Sequence, residues 1–342
     1  MILNVKNPPI TTMPHYADAL ACISCLDHGM NWYYSNYIQI YTDYRWVPYG
    51  EIFFRDNLFW VLKHYNDFSY AYNPFIASWQ SISDITLYVE KSNIVNTFEN
   101  LINNEHYIIA NVDLHYLNTL YPPGVIHTIF IYGYDEESFK VADFTRGGRY
   151  GFNDLNKVLL EESYSSEYEM PNYSQHRNHV AAFMLQDVEY SFDLELVKKQ
   201  LVDYYNENDS LNSYEYTRYH EKIATKFLWG MGCYSNLISY LLKMNSEFKA
   251  IDHRSLYALC DHKKAMVDRL EYMIEQNHIE DCSIRQEFEN LYQELVRGLN
   301  MLLKYNISGD EKIIVRLVNL LRNIYDNEKK SVEKLLKELD AR

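Results

Sequence analysis

Two rhythms of apolar residues divide this chain. Up to about residue 186, short runs rich in Ile, Val, Phe and Tyr are interrupted by Pro, Gly and Asn, the texture of strands and loops. Beyond residue 187 no proline occurs, and apolar residues recur three and four apart. Leu194, Val197, Leu201 and Val202 begin that pattern. Ile313, Leu317, Leu320, Leu321, Ile324, Leu335, Leu336 and Leu339 continue it, which predicts four or five amphipathic helices over 190–342. The break Ser308-Gly309-Asp310 supplies an N-cap for the last of them, and Asn208-Asp209-Ser210 separates the first from the second.

In the first part, Asp18 to Tyr44 reads as helical from the Pro14-His15 break, Ile85 to Val89 as a strand, and Asn93 to Asn103 as a helix. The segments YIIANVDLHYL (Tyr107 to Leu117), VIHTIFIYGYD (Val125 to Asp135) and FKVADF (Phe139 to Phe144) then read as three strands, and Val180 to Leu185 as a further one. Helices followed by a run of strands predict an α+β domain over residues 1–186 and an all-helical domain over 187–342.

Composition narrows the function classes. The 342 residues carry a formal charge of −15, and acids outnumber bases two to one over residues 1–186. Nucleic-acid binding needs clustered cations, so it is not expected. A negative field favours an amine over an anionic substrate, or serves solubility alone. No run approaches the length of a membrane span, and the first residues lack a basic lead and apolar stretch, so the expectation is a soluble cytoplasmic protein. Five scattered cysteines predict free thiols, and Cys22-x-x-Cys25 stands without a second pair, so no metal site is expected. The 33 tyrosines suit a partly wet cleft or reflect composition alone.

The chemistry-bearing residues are a thiol, an imidazole and an acid. Cys22 lies in the predicted first helix, where unpaired amides near a helix start lower a thiol pKa; the alternative is a small buried hydrophobe. Cys25, one turn further, is the runner-up. His127 opens the strand HTIFIYGYD and Asp143 ends FKVAD, and a hairpin through Gly133 to Ser138 makes them cross-strand neighbours. Such an acid orients the imidazole, and the imidazole activates the thiol. Asp113 is a candidate for holding an ammonium or capping a turn, with His115 a weaker one on the same strand. Arg146 and Arg149 in TRGGR offer a clasp for a phosphate or acidic helix, or form a solvated turn.

This order of Cys22, His127 and Asp143, together with Cys22-Ile23-Ser24-Cys25-Leu26, I-A-N-V-D (Ile109 to Asp113) and H-T-I-F-I-Y-G-Y-D (His127 to Asp135), resembles the papain-like fold of bacterial double-glycine peptidases. It is more similar still to proteins resembling the N-terminal region of butirosin biosynthesis protein H, and to the cysteine-protease-like amide-forming enzyme of closthioamide biosynthesis. The likeness covers roughly residues 14–186. It implies a cysteine-dependent acyltransferase: an acyl group leaves the phosphopantetheine thioester of an acyl or peptidyl carrier protein, passes through Cys22, and forms an amide with a small amine in antibiotic biosynthesis. No bound cofactor is implied. Papain-like peptidases carry a glutamine about six residues before the cysteine; here that place holds Tyr16 beside His15, which become candidate oxyanion donors with the backbone amides. A carrier is itself acidic, so it needs a basic dock such as Arg146 and Arg149. A peptidase on the same triad and a non-catalytic binding protein are the alternatives, and the oligomeric state is open.

Overall fold

The protein, seen in a computed structural model, is described over residues 1–43, 52–54, 75–81, 93–144, 148–165, 180–209, 227–246 and 250–341. The strand expected at Ile85 to Val89 lies outside these residues. Two compact units divide the chain: residues 1–30 with 63–190, and residues 31–62 with 191–342.

The first unit is mixed α+β. Its helices are α1 (Pro14–Ile23), α3 (Ile94–Asn103), the short α4 (Leu114–Leu117) and α5 (Lys157–Ser165); α2 (Gly29–Ser35) begins here and runs into the second unit. Six strands, β3 (Ile76–Ser81), β4 (Tyr107–Asp113), β5 (Ile126–Tyr134), β6 (Ser138–Asp143), β7 (Gly151–Asn156) and β8 (Val180–Leu185), form one antiparallel sheet in the order β3-β8-β4-β5-β6-β7. All seven residues of β4 are buried, because both faces of this central strand are covered. On one face Ile108, Ala110 and Val112 join Ile129 and Ile131 of β5, Phe139 and Val141 of β6, and the stripe Ile94, Phe98 and Ile102 of α3. That four-residue spacing sets the three α3 side chains on one side of the helix. On the other face the rings of Tyr107, Phe130 and Phe183 stack.

Register is pinned by side-chain parity, since a one-residue slip would turn every apolar residue of β4 to the wrong face. Ile108 faces Ile131, Ala110 faces Ile129 and Val112 faces His127. The chain start adds a bridge from Ile2 to Gly133, where a β-carbon would come 2.9 Å from the Ile2 Cα; only glycine permits this approach. The predicted continuous helix from Asp18 to Tyr44 is corrected. α1 ends at Ile23, α2 follows a break, and Ile40–Asp43 is strand β1.

The second unit holds the helical region. Its helices are α6 (Leu194–Tyr205), α7 (Cys233–Ser246), α8 (Arg254–Glu275), α9 (Cys282–Ser308) and α10 (Glu311–Asp340). The α9–α10 break falls at the predicted place: Gly309 takes φ 66° as the C-cap, and the Asp310 carboxylate accepts from the Lys312 amide. A cut at 186/187 does not separate the units, because residues 31–62 belong with the helices. There β1 lies between β2 (Ile52–Phe54) and β9 (Phe227–Trp229), pairing Tyr41 with Trp229. The Gln200 amide donates to the Ser35 carbonyl, and the Arg269 guanidinium to the carbonyls of Tyr34 and Asn36. Short polar runs such as WYYSN gave no periodicity that tied them to helices so far downstream. Among the described residues no helix is long and apolar enough to cross a membrane.

A buried polar network crosses this unit. Lys263 of α8 and Glu328 of α10, both fully buried, pair at 2.6 Å. Glu328 also accepts from the hydroxyls of Tyr204 at 2.7 Å and Tyr234 at 2.6 Å, so four helices converge on one carboxylate. His262 donates through Nε2 to the Ile38 carbonyl at 2.7 Å, which leaves Nδ1 to accept from the Lys263 ammonium. Removing one partner of such a pair strands the rest in low dielectric. Glu328→Ala is therefore expected to cost about 3–5 kcal/mol in urea unfolding; a loss below 1 kcal/mol would show the network to be energetically idle. Burial, and then the Lys263 charge, hold the His262 pKa well below its ordinary 6.5. Below that pH the unfolded chain takes a proton that the folded chain refuses, so stability falls as pH drops. His262→Gln should flatten that dependence between pH 6.5 and 5, read as the change in urea midpoint per pH unit.

Candidate functional site

Cys22 is the ninth of ten residues in α1, at the opposite end from the unpaired amides that would activate it. The expectation of a thiol at the helix start is corrected. Pro14 fills the first helical position, and the chain keeps helical geometry for two turns before Cys22. Its Sγ is fully buried and donates to the Asp18 carbonyl at 2.9 Å. Burial first, then the charges of Asp18 and Cys25, push its thiol pKa well up. Cys25, just past the helix, donates to the Ala21 carbonyl, and burial raises its pKa too, against an opposing pull from Lys6. Both sulfurs are held as thiols on helix carbonyls. Among the described residues no group of three or more metal-type side chains gathers.

Burial first, then the Cys22 charge, pushes up the pKa of Tyr107 at the start of β4. His127 faces Val112, five steps further along, or about 16 Å along the strand. The hydrogen bond of Cys22 goes to the Asp18 carbonyl and that of His127 to the Thr128 carbonyl.

His127 and Asp143 do share a sheet end. The β5–β6 ladder reaches Phe130 opposite Ala142, the residue before Asp143. Half-buried His127 bonds through Nδ1 to the Thr128 carbonyl at 2.8 Å. A carbonyl only accepts, so Nδ1 carries the proton and Nε2 is left as the basic nitrogen. The group that fixes the tautomer is therefore a backbone oxygen rather than Asp143. The Asp143 carboxylate, 4% exposed, accepts from the Asn153 amide at 3.3 Å.

The other candidates fall into three groups. Asp113 is fully buried and caps α4: one oxygen accepts from the His115 amide at 3.0 Å, the other from the Gly124 amide at 2.9 Å. That is the turn-capping alternative. Tyr16 and His15 are the third and second residues of α1, and Tyr16 is 3% exposed. Arg149 stands exposed after Gly148, whereas Arg146 lies outside the described residues.

Asp18 was passed over by sequence reasoning. It is 1% exposed on α1, accepts from the Tyr150 hydroxyl through Oδ1 at 2.9 Å, and has no partner at Oδ2. Burial raises its pKa well above 3.8, the Tyr150 bond opposes that, and the Asp143 charge adds to it. The signal was present in the sequence: one carboxylate inside the apolar run Ala17 to Ile23. Asp18 feels Asp143 while Cys22, one turn on, feels Tyr107. Hence α1 begins at the sheet end that bears His127 and Asp143, and that beginning offers Tyr16 and Asp18 instead of a thiol.

Comparison with known proteins finds no family model that matches the chain and no curated protein that matches it.

Thiol chemistry checks the placement of the cysteines. Cys282 is exposed, whereas Cys22, Cys233 and Cys260 are buried. Iodoacetamide on the native protein should modify Cys282 first and Cys22 only after unfolding, as read by peptide mass mapping. Preferential labelling of native Cys22 at mildly acidic pH would reverse this picture.

Proposed function

We propose that the protein moves an acyl group from a carrier-protein thioester to a small amine on a papain-like α+β scaffold, with His127 as the general base and no acyl-Cys22 intermediate. The observation that supports this most directly is the hydrogen bond of His127: its Nδ1–H donates to the Thr128 carbonyl, which leaves Nε2 as the nitrogen that can accept a proton. The amine nitrogen attacks the thioester carbonyl carbon, and Nε2 takes the proton that the nitrogen sheds as the C–N bond forms. The tetrahedral adduct collapses, the C–S bond breaks, and the phosphopantetheine thiolate recovers that proton from the imidazolium. A thiolate leaves without acid assistance, so this route does not need the thiol nucleophile that a peptidase would. A buried, carbonyl-bonded Cys22 weighs against the peptidase reading for the same reason.

A second reading, a binding protein without catalysis, is favoured by Tyr16, whose 3% exposure fills the start of α1. One assay separates them. The protein is incubated with an acyl-carrier thioester and a panel of primary amines, and amide is measured by mass spectrometry. Wild type should form amide, His127→Ala should lose about 10²–10⁴-fold in kcat, and Cys22→Ala should stay within about threefold. Loss of all activity in Cys22→Ala, with an acyl adduct on wild-type Cys22, would restore the covalent route. Absence of amide from every amine would leave the binding reading.

A further inference from the structure

We propose that Cys22 and Cys25 form a dithiol site that closes to an intramolecular disulfide by exchange with a small-molecule disulfide such as oxidised glutathione. The site stands apart from the acyl-transfer reading and does not depend on it. What carries it is the way α1 ends. The Cys25 amide donates to the Cys22 carbonyl at 2.9 Å and the Leu26 amide to the Ile23 carbonyl at 2.9 Å, so the chain leaves the helix through bonds that step back three residues. Ser24, between the two cysteines, takes φ −62° and ψ −9°, in keeping with that tighter turn. A three-residue step eclipses side chains i and i+3, which successive α-helical turns do not. Three rises of about 2.0 Å put the two Cα atoms about 6 Å apart, inside the span of about 4.4–6.8 Å that a disulfide bridges.

Both sulfurs lean back along the helix in the same sense: Cys22 Sγ donates to the Asp18 carbonyl and Cys25 Sγ to the Ala21 carbonyl, each four residues earlier. Both also act on one hydroxyl, since after burial the charges of Cys22 and Cys25 are what push up the Tyr107 pKa. The two thiols differ in access. Cys22 is buried, whereas Cys25 is half-buried. Lys6 donates through Nζ to the carbonyl of Ser24, the residue before Cys25, at 2.9 Å. Burial raises the Cys25 pKa and the Lys6 charge opposes it, while no cation offsets the burial of Cys22. Cys25 is therefore the entry thiol and Cys22 the resolving one.

The exchange runs in two displacements. The Cys25 thiolate attacks one sulfur of the small disulfide, the S–S bond of the reagent breaks, and one thiolate departs. Cys22 Sγ then attacks Cys25 Sγ, the mixed S–S bond breaks, and the second thiolate leaves with the Cys22 proton. Two protein thiols are oxidised and one small disulfide is reduced to two thiols. Closure withdraws the S–H donors from the Asp18 and Ala21 carbonyls and ties the exit of α1. The ring encloses only Ile23 and Ser24, and so short a loop gains little from chain entropy, which makes the bond a reducible switch in place of a permanent staple.

The test equilibrates the reduced full chain with oxidised glutathione at mildly alkaline pH, with circular dichroism confirming the native fold throughout. Remaining thiols are then alkylated with N-ethylmaleimide in urea and mapped by peptide mass. The expected product is a peptide holding both Cys22 and Cys25 that is lighter by two hydrogens, unalkylated and free of glutathione. Cys282, exposed and with no second cysteine one turn away, should instead keep a mixed disulfide. Dithiothreitol added to the native chain should restore both alkylation sites. Cys22→Ser should retain glutathione on Cys25, and Cys25→Ser should leave Cys22 open to alkylation once unfolded. Wild type that alkylates at Cys22 and Cys25, that retains glutathione on Cys25, that loses its fold on closure or that dithiothreitol does not reopen overturns the proposal. If either variant does not fold, the wild-type peptide map alone decides.

Discussion

The β4–β5 ladder is the constraint on which the site depends. Because Val112 faces His127 and Ile108 faces Ile131, the two ends of the sheet are chemically distinct: one carries Tyr107 and its stacked rings, the other His127 and Asp143. α1 lies along this axis, so each of its turns meets a different environment. Asp18 accepts from the Tyr150 hydroxyl, and Cys22 donates to the Asp18 carbonyl.

The two units treat buried charge in opposite ways. In the helical unit every member of the Lys263–Glu328 network is answered: the ammonium by a carboxylate and an imidazole nitrogen, the carboxylate by two tyrosine hydroxyls. Such a network gives up solvation and returns a unique packing of four helices. In the α+β unit Asp18 keeps one oxygen unanswered at similar depth. Satisfied polar groups specify a fold, and an unsatisfied one carries a desolvation cost.

Much of the architecture was legible in the sequence, for reasons particular to its elements. β4 reads as a continuous apolar run because both its faces are covered, and α9 and α10 read as helices because their buried stripes recur every three to four residues across a glycine break. The first helix was legible in place but not in extent. Ile23 is followed by Ser24 and a turn that residue spacing does not announce, so a helix drawn on to Tyr44 moved Cys22 toward its start. His127 and Asp143 were found because hairpin parity is a local property. Asp18 was not, because the partners that make it notable lie 125 and 132 positions downstream, and only tertiary structure brings them close. Asp113 misled for the converse reason: an acid at a strand end looks chemical, yet its oxygens are spent on the amides of His115 and Gly124.

The membership of residues 31–62 in the helical unit bears on how the chain is made. β1 leaves the ribosome early, but its partner β9 and the Arg269 guanidinium that bonds Tyr34 and Asn36 are about 190 to 235 residues away and are synthesised much later. During that interval the β1 edge that pairs with β9 waits unpaired, a hazard for misassociation in a nascent polypeptide. The α+β unit draws on residues 63–190 and on the chain start, and its sheet pairs only its own strands. A fragment cut at residue 187 would carry every long helix and still lack the piece that completes them.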